Sequence, residues 1–311
     1  MSKSIMKKVP ITVFTGHLGS GKTTLIQKLL ALYPDKKVLV IENEFGEIGI
    51  DGEILSQNDN ALVELNSGCV CCNIQSDLEL ILEKFIADKS DFDHIIIEAT
   101  GVANPAKIAR QFLSPHYLSG FFELNSIICL LDALHFDKHR SMPEFELQLL
   151  TSDTYYISKA EDLSKEERGS FCEKNGVNEE RVIDDQDLKI WFEKKSFENL
   201  SDNISLKGGH HHYQKLAFEF EGEFDPFTLE NYLNVLFMQY MGSIFRSKGV
   251  LYFRKAPHPV VFQGVFDSLS FDESQKLKEK TKRNRIIFIG KDLNEEKIEA
   301  SLKNCLAEEE K

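Results

Sequence analysis

The strongest constraint on the fold is a glycine loop that joins an apolar strand to a helix. Residues 9–16 read VPITVFTG, an apolar and β-branched run typical of a buried strand. The following GHLGSGKTTLIQKLLALY fits the pattern G-x-x-x-x-G-K-[ST] at Gly16, Gly21, Lys22 and Thr23 and continues with helical spacing. Such a loop binds phosphates through backbone N–H groups and the helix N-terminus. We therefore predict that Lys22 reaches the β- and γ-phosphates of a nucleotide and that Thr23 ligates Mg²⁺.

Predicted strands and helices alternate through the rest of the first half of the chain. Strands are expected at 37–42, 94–101, 125–133 and 152–163, and helices near 76–88, 105–113, 143–150 and 164–174. The apolar run HIIIE ends in Glu98, as expected of a buried parallel strand that presents an acid near Mg²⁺. The alternation predicts an α/β fold of the P-loop NTPase type, with a doubly wound, mainly parallel sheet whose ligands bind at the carboxyl ends of the strands.

A second domain is indicated by a change of composition near residue 200, where SDNISLKGGHHHY is polar and glycine-rich. We predict a P-loop domain over 1–200 and a smaller α+β domain over 201–311. Strand patterns in YQKLAFEFEG, IFRSKGVLYFRK, PVVFQGVFDSLSF and RNRIIFIG, with helices in PFTLENYLNVLFMQY and NEEKIEASLKNCL, predict an antiparallel sheet there. Arg246 and Lys248 are expected on an exposed strand face.

Charge and hydropathy narrow the range of partners. A formal net charge of −13 argues against sequence-independent binding of nucleic acid, which depends on Lys and Arg. No stretch approaches the roughly 20 apolar residues of a membrane span. The N-terminal MSKSIMKKVPITVF has too short an apolar run for a signal peptide. We therefore expect a cytoplasmic location and neither a nucleic-acid nor a membrane partner.

Three thiols lie within four positions of the segment NSGCVCCNIQSDL, at Cys69, Cys71 and Cys72. A reducing compartment disfavours disulfides, and neighbouring residues have Cα atoms only about 3.8 Å apart, below the usual disulfide range. Thiolates are soft ligands that suit Zn²⁺ or Cu(I), and three of them leave a fourth position for a histidine, a carboxylate or water. The sequence therefore predicts an open metal site, with buried core cysteines as the alternative.

The remaining cysteines and several histidines have simpler explanations. We expect Cys129, Cys172 and Cys305 to be small buried residues. The run His210–His212 would hold metal or belong to a solvated linker. His17, inside the glycine loop, is expected to occupy space beside the phosphates.

A family resemblance emerges from several segments taken in order. TGHLGSGKTT, IENEFGEIGID, NSGCVCC, IIIEATGVANP and LLDALH, followed by RSKGVLYF, FQGV and FIG, resemble the CobW-like metallochaperone GTPases, especially their YjiA branch. The resemblance covers nearly the whole chain, and a C-x-C-C loop beside a P-loop is a specific signature. It implies slow GTP hydrolysis coupled to the handling of a transition metal, usually zinc, for delivery to a client protein.

The resemblance also implies roles for particular residues. The implied nucleotide-binding residues in the first part of the chain are Gly16, Gly19, Ser20, Gly21, Lys22, Thr23, Thr24 and Gly101. The implied catalytic residues are Lys22, Thr23 and Glu98, of which the last two would hold Mg²⁺. The implied metal ligands are Cys69, Cys71, Cys72, Glu42, Glu47 and His116. The expected cofactors are GTP, Mg²⁺ and Zn²⁺ or another transition metal, and the expected partner is a client metalloprotein, with a homodimer left open.

One segment departs from the family pattern. The guanine-reading motif is expected as N-K-x-D after a strand, and the chain instead has Ser158, Lys159, Ala160 and Glu161. Glu161 keeps a carboxylate for the guanine N1–H and 2-amino group but adds a methylene, and Ser158 replaces an amide with a shorter hydroxyl. A displaced carboxylate would cost about 1–2 kcal/mol of selectivity against adenine. GTP remains the predicted nucleotide, with Asp162 as a substitute acceptor if the turn slips, and a solvated acidic loop is the alternative.

Two functions of other classes are compatible with part of this sequence. A nucleotide-gated metal sensor or store would share every motif but would have no client enzyme. A P-loop kinase of small molecules would share the glycine loop, yet it predicts an arginine-rich lid that the sequence lacks.

Overall fold

The computed structural model of the chain describes residues 8–44, 55–57, 60–66, 74–113, 116–177, 179–188, 213–273 and 282–307. The chain divides into two compact units, Met1–Phe171 with Glu179–Ser196 and Cys172–Asn178 with Phe197–Lys311. The predicted boundary at residue 200 lies outside the described residues and stays a prediction.

Within the described residues, the first unit is built on an eight-stranded sheet. Its strands are β1 (Val9–Thr15), β2 (Val38–Glu44), β3 (Leu55–Gln57), β4 (Asn60–Asn66), β5 (His94–Glu98), β6 (Phe122–Asp132), β7 (Thr154–Ser158) and β8 (Val182–Ile183). The strand order is β3-β4-β2-β5-β1-β6-β7-β8, and every neighbouring pair is parallel except β3 with β4. This confirms the predicted α/β class with a mainly parallel sheet. Strands β3, β4 and β8 were not predicted.

Helices connect these strands. They are α1 (Lys22–Leu32), α2 (Ile74–Ala87), α3 (Pro105–Ala109), α4 (Phe136–His139), α5 (Pro143–Thr151), α6 (Lys165–Asn175) and α7 (Asp185–Leu188). The start of α3 shows how sequence sets a boundary, because the Asn104 side chain accepts from the Ala106 N–H at 3.0 Å and Pro105 occupies the first helical position. No helix among the described residues is long and apolar enough to cross a membrane.

The core of the first unit explains why the central strands are continuously apolar. All five residues of β5 are buried, as expected where helices cover both faces of a parallel sheet. One face packs Phe14, Val40, Ile96 and Leu130 against Leu29 of α1. Because the strands run in parallel, β2, β4, β5, β1, β6 and β7 all end at one edge of the sheet, where the glycine loop leaves β1.

The second unit contains, among its described residues, a five-stranded antiparallel sheet with two helices. Its elements are β9 (Tyr213–Glu221), α8 (Pro226–Gln239), β10 (Ile244–Leu251), β11 (Val260–Val265), β12 (Ser268–Glu273), β13 (Arg283–Lys291) and α9 (Glu295–Lys303). The strand order is β12-β11-β10-β13-β9. Asp225 caps α8 and Asn294 caps α9, each accepting a backbone N–H at 2.9 Å. Phe218, Leu233 and Phe288 belong to the core of this unit, which confirms the predicted α+β class.

The prediction for Arg246 and Lys248 was wrong. These side chains are only 3% and 8% exposed on β10. Arg246 donates from Nη1 to the Gly264 carbonyl at 2.8 Å and from Nη2 to Gln263 Oε1 at 3.4 Å. Protein acceptors therefore replace water around this guanidinium, which alternation of residue types along a strand does not reveal.

Candidate nucleotide and metal site

The glycine loop lies at the carboxyl edge of the first sheet, between the end of β1 and the start of α1. Gly16, Gly19 and Gly21 have φ angles of 135°, 75° and 87°, in the region that favours glycine. A Cβ on Gly16 would lie 2.7 Å from the carbonyl oxygen of Leu130 in β6. The loop therefore needs glycine both for its backbone conformation and for its approach to the neighbouring strand.

Three further residues of the predicted phosphate site lie on or beside this loop. Lys22 is 6% exposed, and its Nζ donates to the carbonyls of Gly16 at 3.1 Å and His17 at 3.3 Å. Ser20 is buried, and its N–H donates to the His17 carbonyl at 3.1 Å. Thr24 is exposed in the first turn of α1. The ammonium group is thus folded back over the loop that is predicted to hold phosphates.

Thr23 and Glu98, the two predicted Mg²⁺ ligands, are in direct contact. Thr23 Oγ1 donates to the two carboxylate oxygens of Glu98, at 2.9 and 3.1 Å. Glu98 is 7% exposed at the end of β5, in register with Glu42 on the neighbouring β2. A hydroxyl and a carboxylate are hard oxygen donors of the kind that Mg²⁺ prefers, so these residues fit the predicted cation.

Gly101, the remaining predicted phosphate-site residue, lies against the glycine loop. The Ala99 N–H donates to the Phe14 carbonyl at 2.9 Å, which continues the pairing beyond β5. A Cβ on Gly101 would lie 2.7 Å from Leu18 Cα and still closer to the Leu18 backbone nitrogen. The segment after β5 and the glycine loop are therefore packed backbone against backbone.

Four of the predicted metal ligands lie outside the described residues, namely Cys69, Cys71, Cys72 and Glu47. The run His210–His212 also lies outside them. The flanking elements are described. β4 ends at Asn66, in register with Glu44 of β2, and α2 begins at Ile74. The chain therefore enters the cysteine segment at the edge of the sheet where the glycine loop also lies.

The two described metal candidates, Glu42 and His116, lie on different elements. Glu42 is half-buried near the end of β2. His116 Nδ1 accepts from the Leu118 N–H at 3.3 Å, and its Nε2 lies 3.3 Å from Glu79 Oε1 on α2. Within the described part of the chain, no group of three or more His, Cys, Asp or Glu side chains could hold a metal ion. The metal roles of Glu42 and His116 stay predictions.

The segment predicted to read guanine begins at Ser158, the last residue of β7. Ser158 is 8% exposed and donates from Oγ to the Leu131 carbonyl at 3.3 Å. A Cβ on Gly21 would lie 3.9 Å from the Ser158 Cβ, so the segment approaches the glycine loop. Lys159 has a positive φ of 54°, and Glu161 is exposed. The structure thus brings the predicted base and phosphate segments to the same edge of the sheet.

Asp132, at the end of β6, is a buried partner of Lys159 that the sequence analysis did not single out. Its carboxylate, 2% exposed, accepts from Lys159 Nζ at 2.7 Å, His135 Nδ1 at 2.9 Å and the Leu134 N–H at 3.0 Å. Burial alone would raise the pKa of Asp132, but these hydrogen bonds outweigh it and lower that pKa below its ordinary value. The quoted segment LLDALH contained this residue, but no spacing rule linked it to Lys159.

His17 in the glycine loop stacks on a second histidine. The rings of His17 and His139 are 3.8 Å apart and 17° from parallel. His139 is 5% exposed, and its ring also meets Phe145 edge-on. Burial, followed by the charge of His17, lowers the pKa of His139. That His17 occupies space beside the phosphates stays a prediction, and its stacking partner had no signal in the sequence.

Comparison with known proteins finds a matching family model for each part of the chain. A model of the CobW/HypB/UreG nucleotide-binding domain matches residues 10–180, and one of the cobalamin synthesis protein cobW C-terminal domain matches 213–306. The zinc chaperone YjiA of Escherichia coli is 28% identical over 314 residues, covering 95% of this chain and 98% of that protein. The zinc chaperone CobW of Pseudomonas aeruginosa is 32% identical over 193 residues, 52% of this chain and 51% of that one.

A solved structure shares the fold along nearly the whole chain. The crystal structure of Zn(II)-bound YjiA GTPase from E. coli covers 97% of this chain and 100% of its own, with a TM-score of 0.65 and 24% identity. The family resemblance drawn from the sequence is confirmed. The nucleotide-binding model alone matches more than half of this chain. The chain therefore belongs to the CobW/HypB/UreG family, with a CobW-type second domain.

Proposed function

We propose that this chain is a slow GTPase that binds zinc and transfers it to a client metalloprotein under the control of its nucleotide state. The observation that carries the proposal is the hydrogen bond from Thr23 to Glu98, because a hydroxyl and a carboxylate so placed beside a glycine loop hold Mg²⁺ in P-loop NTPases. Zinc is proposed because two relatives are named zinc chaperones, one that matches 95% of this chain and one that matches 52% of it. The proposed setting is the cytoplasm, where thiols stay reduced.

The proposed reaction is in-line attack of water on the γ-phosphate of GTP. A bond forms between the water oxygen and phosphorus, the bond to the bridging oxygen breaks, and GDP, phosphate and a proton leave. Lys22 would exchange the carbonyls of Gly16 and His17 for phosphate oxygens. Mg²⁺, held by Thr23 and Glu98, supplies charge neutralisation. Because this chain would contribute mainly positioning and positive charge, we expect slow intrinsic hydrolysis.

Guanine recognition is proposed for the segment after β7. Lys159 has its ammonium group tied to Asp132, which leaves the aliphatic stem to lie along a base. The exposed Glu161 carboxylate would accept from the guanine N1–H and 2-amino group. The approach of Ser158 to Gly21 supports placing the base next to the phosphate loop.

Coupling between nucleotide and metal is proposed to run through two neighbouring strands. Glu98 on β5 contacts Thr23 and lies in register with Glu42 on β2, which is a predicted metal ligand. Glu44 on β2 is in register with Asn66, the last residue of β4 before the cysteine segment. The two predicted cation sites would therefore share one edge of the sheet.

The first test is zinc affinity near pH 7, measured by competition with a chromophoric chelator in the presence of a GTP analogue or GDP. We expect wild type to bind zinc tightly and with an affinity that differs between nucleotides, because thiolates are strong zinc ligands. The Cys69/Cys71/Cys72→Ala variant should lose this binding. The matched control is Cys172→Ala, because Cys172 is a buried cysteine in α6, outside the cysteine segment. Equal weak binding in all samples would contradict the zinc part of the proposal.

The second test separates hydrolysis from delivery. Phosphate release should be faster with GTP than with ATP and should fall in Thr23→Val, because the valine cannot ligate a cation. An apo-metalloenzyme that gains activity only with zinc-loaded protein and GTP would support client transfer. Activation that is independent of nucleotide would contradict it, and hydrolysis without activation of any apo-enzyme would favour the metal sensor or store.

A further inference from the structure

Gln148 of α5 is a buried side chain that holds the segment following β5. Its side chain is 0% exposed. The Nε2 group donates to the carbonyl oxygens of Gly101 and Ala103, both at 3.2 Å. The Ala103 N–H in turn donates to the Thr100 carbonyl at 3.0 Å. One amide group thus binds two carbonyls of a single turn that lies 47 and 45 residues earlier in the chain.

The same turn also packs against the glycine loop. Gly101 packs so closely on Leu18 that a Cβ would lie 2.7 Å from the Leu18 Cα. Upstream, the backbone of Ala99 is tied to Phe14 of β1. The position of the turn relative to the phosphate loop therefore depends on β1, on the loop itself and on Gln148.

The hydrogen bonding of Gln148 indicates that its N–H donors are what the position requires. Among the described residues, no hydrogen-bond partner lies within reach of its buried Oε1. A buried acceptor left unpaired costs free energy, which an apolar side chain of similar size would avoid. If position 148 served packing alone, methionine or leucine would be favoured there. A glutamine is explained instead by the two carbonyls of the turn, which need an N–H donor.

We propose that Gln148 is a positioning residue for the nucleotide cycle, which holds Gly101 beside the place where the γ-phosphate of GTP would lie. The inference rests on the proposed function. In P-loop GTPases the segment after the Mg²⁺-binding acid is ordered by contacts to the γ-phosphate and released after hydrolysis. Because GDP lacks that phosphate, Gln148 sets the preference for GTP over GDP while contributing little to binding of the shared part of the two nucleotides.

The main test compares Gln148→Met with Thr151→Val. Thr151 is a matched control, since it is 0% exposed on the same helix and donates to the Leu147 carbonyl of its own helix. Dissociation constants are measured for a non-hydrolysable GTP analogue and for GDP. Losing two donors should weaken binding of the analogue about tenfold, with GDP affinity changed less than about twofold. Thr151→Val should leave both constants and their ratio unchanged.

A second variant keeps the test decisive if Gln148→Met does not fold. In Gln148→Glu the carboxylate cannot donate, but a protonated carboxyl can donate once, and burial raises the pKa of such a group. Relative to wild type at the same pH, the ratio of analogue to GDP affinity should be reduced near pH 8 and should recover toward pH 6.

The outcomes distinguish the inference from the function on which it rests. Wild type that binds neither nucleotide contradicts the proposed function. If wild type binds both nucleotides and a folded Gln148→Met has the same affinity ratio, the positioning role is wrong. A folded Gln148→Glu with the wild-type ratio even at about pH 9, where a buried carboxyl would have lost its proton, overturns it equally. Selective loss of the analogue, with GDP binding retained, supports it.

Discussion

His94, the first residue of β5, should make the protein sensitive to mild acid. Its side chain is 2% exposed, and Nε2 lies 2.9 Å from Thr12 Oγ1 on β1. Burial lowers the pKa of His94 from 6.5 to about 3. In the unfolded chain the imidazole takes up a proton below about pH 6.5, whereas in the folded protein it stays neutral down to about pH 3. The free energy of unfolding therefore falls as the pH falls from about 6.5 to about 3. At about pH 5 the loss is roughly 2 kcal/mol, from about 1.5 pH units at 1.36 kcal/mol each.

The measurement compares urea unfolding of wild type and His94→Gln at about pH 7.5 and about pH 5, read by hydrogen exchange of peptides that contain β5. Glutamine keeps a hydrogen-bonding group but does not titrate. Wild type should lose about 2 kcal/mol more than the variant between the two pH values. Equal losses, or a His94 ring resonance that titrates near pH 6.5 in the folded protein, would refute the reasoning.

Three further predictions concern the nucleotide site. Gly101→Ala places a Cβ against Leu18 and should lower GTP turnover at least about tenfold with a smaller effect on GDP affinity, as measured by phosphate release and calorimetry. Asp132→Asn removes the ionised partner of Lys159 and should weaken GTP and GDP binding alike, by about tenfold, so that an altered ratio of the two affinities would contradict it. Glu161→Ala should lower the preference for GTP over ATP about tenfold in competition binding, and an unchanged preference would assign guanine reading elsewhere.

Local patterns in the sequence were enough to predict the parts of the fold that depend on near neighbours. The glycine loop follows from residue spacing alone, because positive φ at Gly16, Gly19 and Gly21 is a local requirement. The strand that ends at Glu98 was predictable because all of its residues are buried. β4, with the sequence NALVELN, was missed because a short strand with polar ends has no distinctive period and depends on pairing with β2 and β3.

The parts of the candidate site that sequence did not reveal depend on contacts between distant residues. Lys159 reaches Asp132 across 27 positions, and Gln148 reaches Gly101 across 47. Neither pair lies in one motif, since the partners come from adjacent strands or from a helix packed against a loop. Spacing rules apply within one element, whereas these contacts require the order of strands in the sheet.

The register of β2 and β5 gives the proposed coupling a direct electrostatic route. Glu42 and Glu98 are paired positions on neighbouring parallel strands, so they lie on the same face of the sheet, about 4.8 Å apart at the backbone. Two unit charges separated by this strand spacing would interact by roughly 3 kcal/mol at an effective dielectric constant near 20. An interaction of that size changes a binding constant by about a hundredfold. A cation bound at Glu98 would therefore alter the affinity of Glu42 for another cation without movement of either strand. On this reasoning, zinc affinity should depend on nucleotide-bound Mg²⁺ in wild type and lose that dependence in Glu42→Gln.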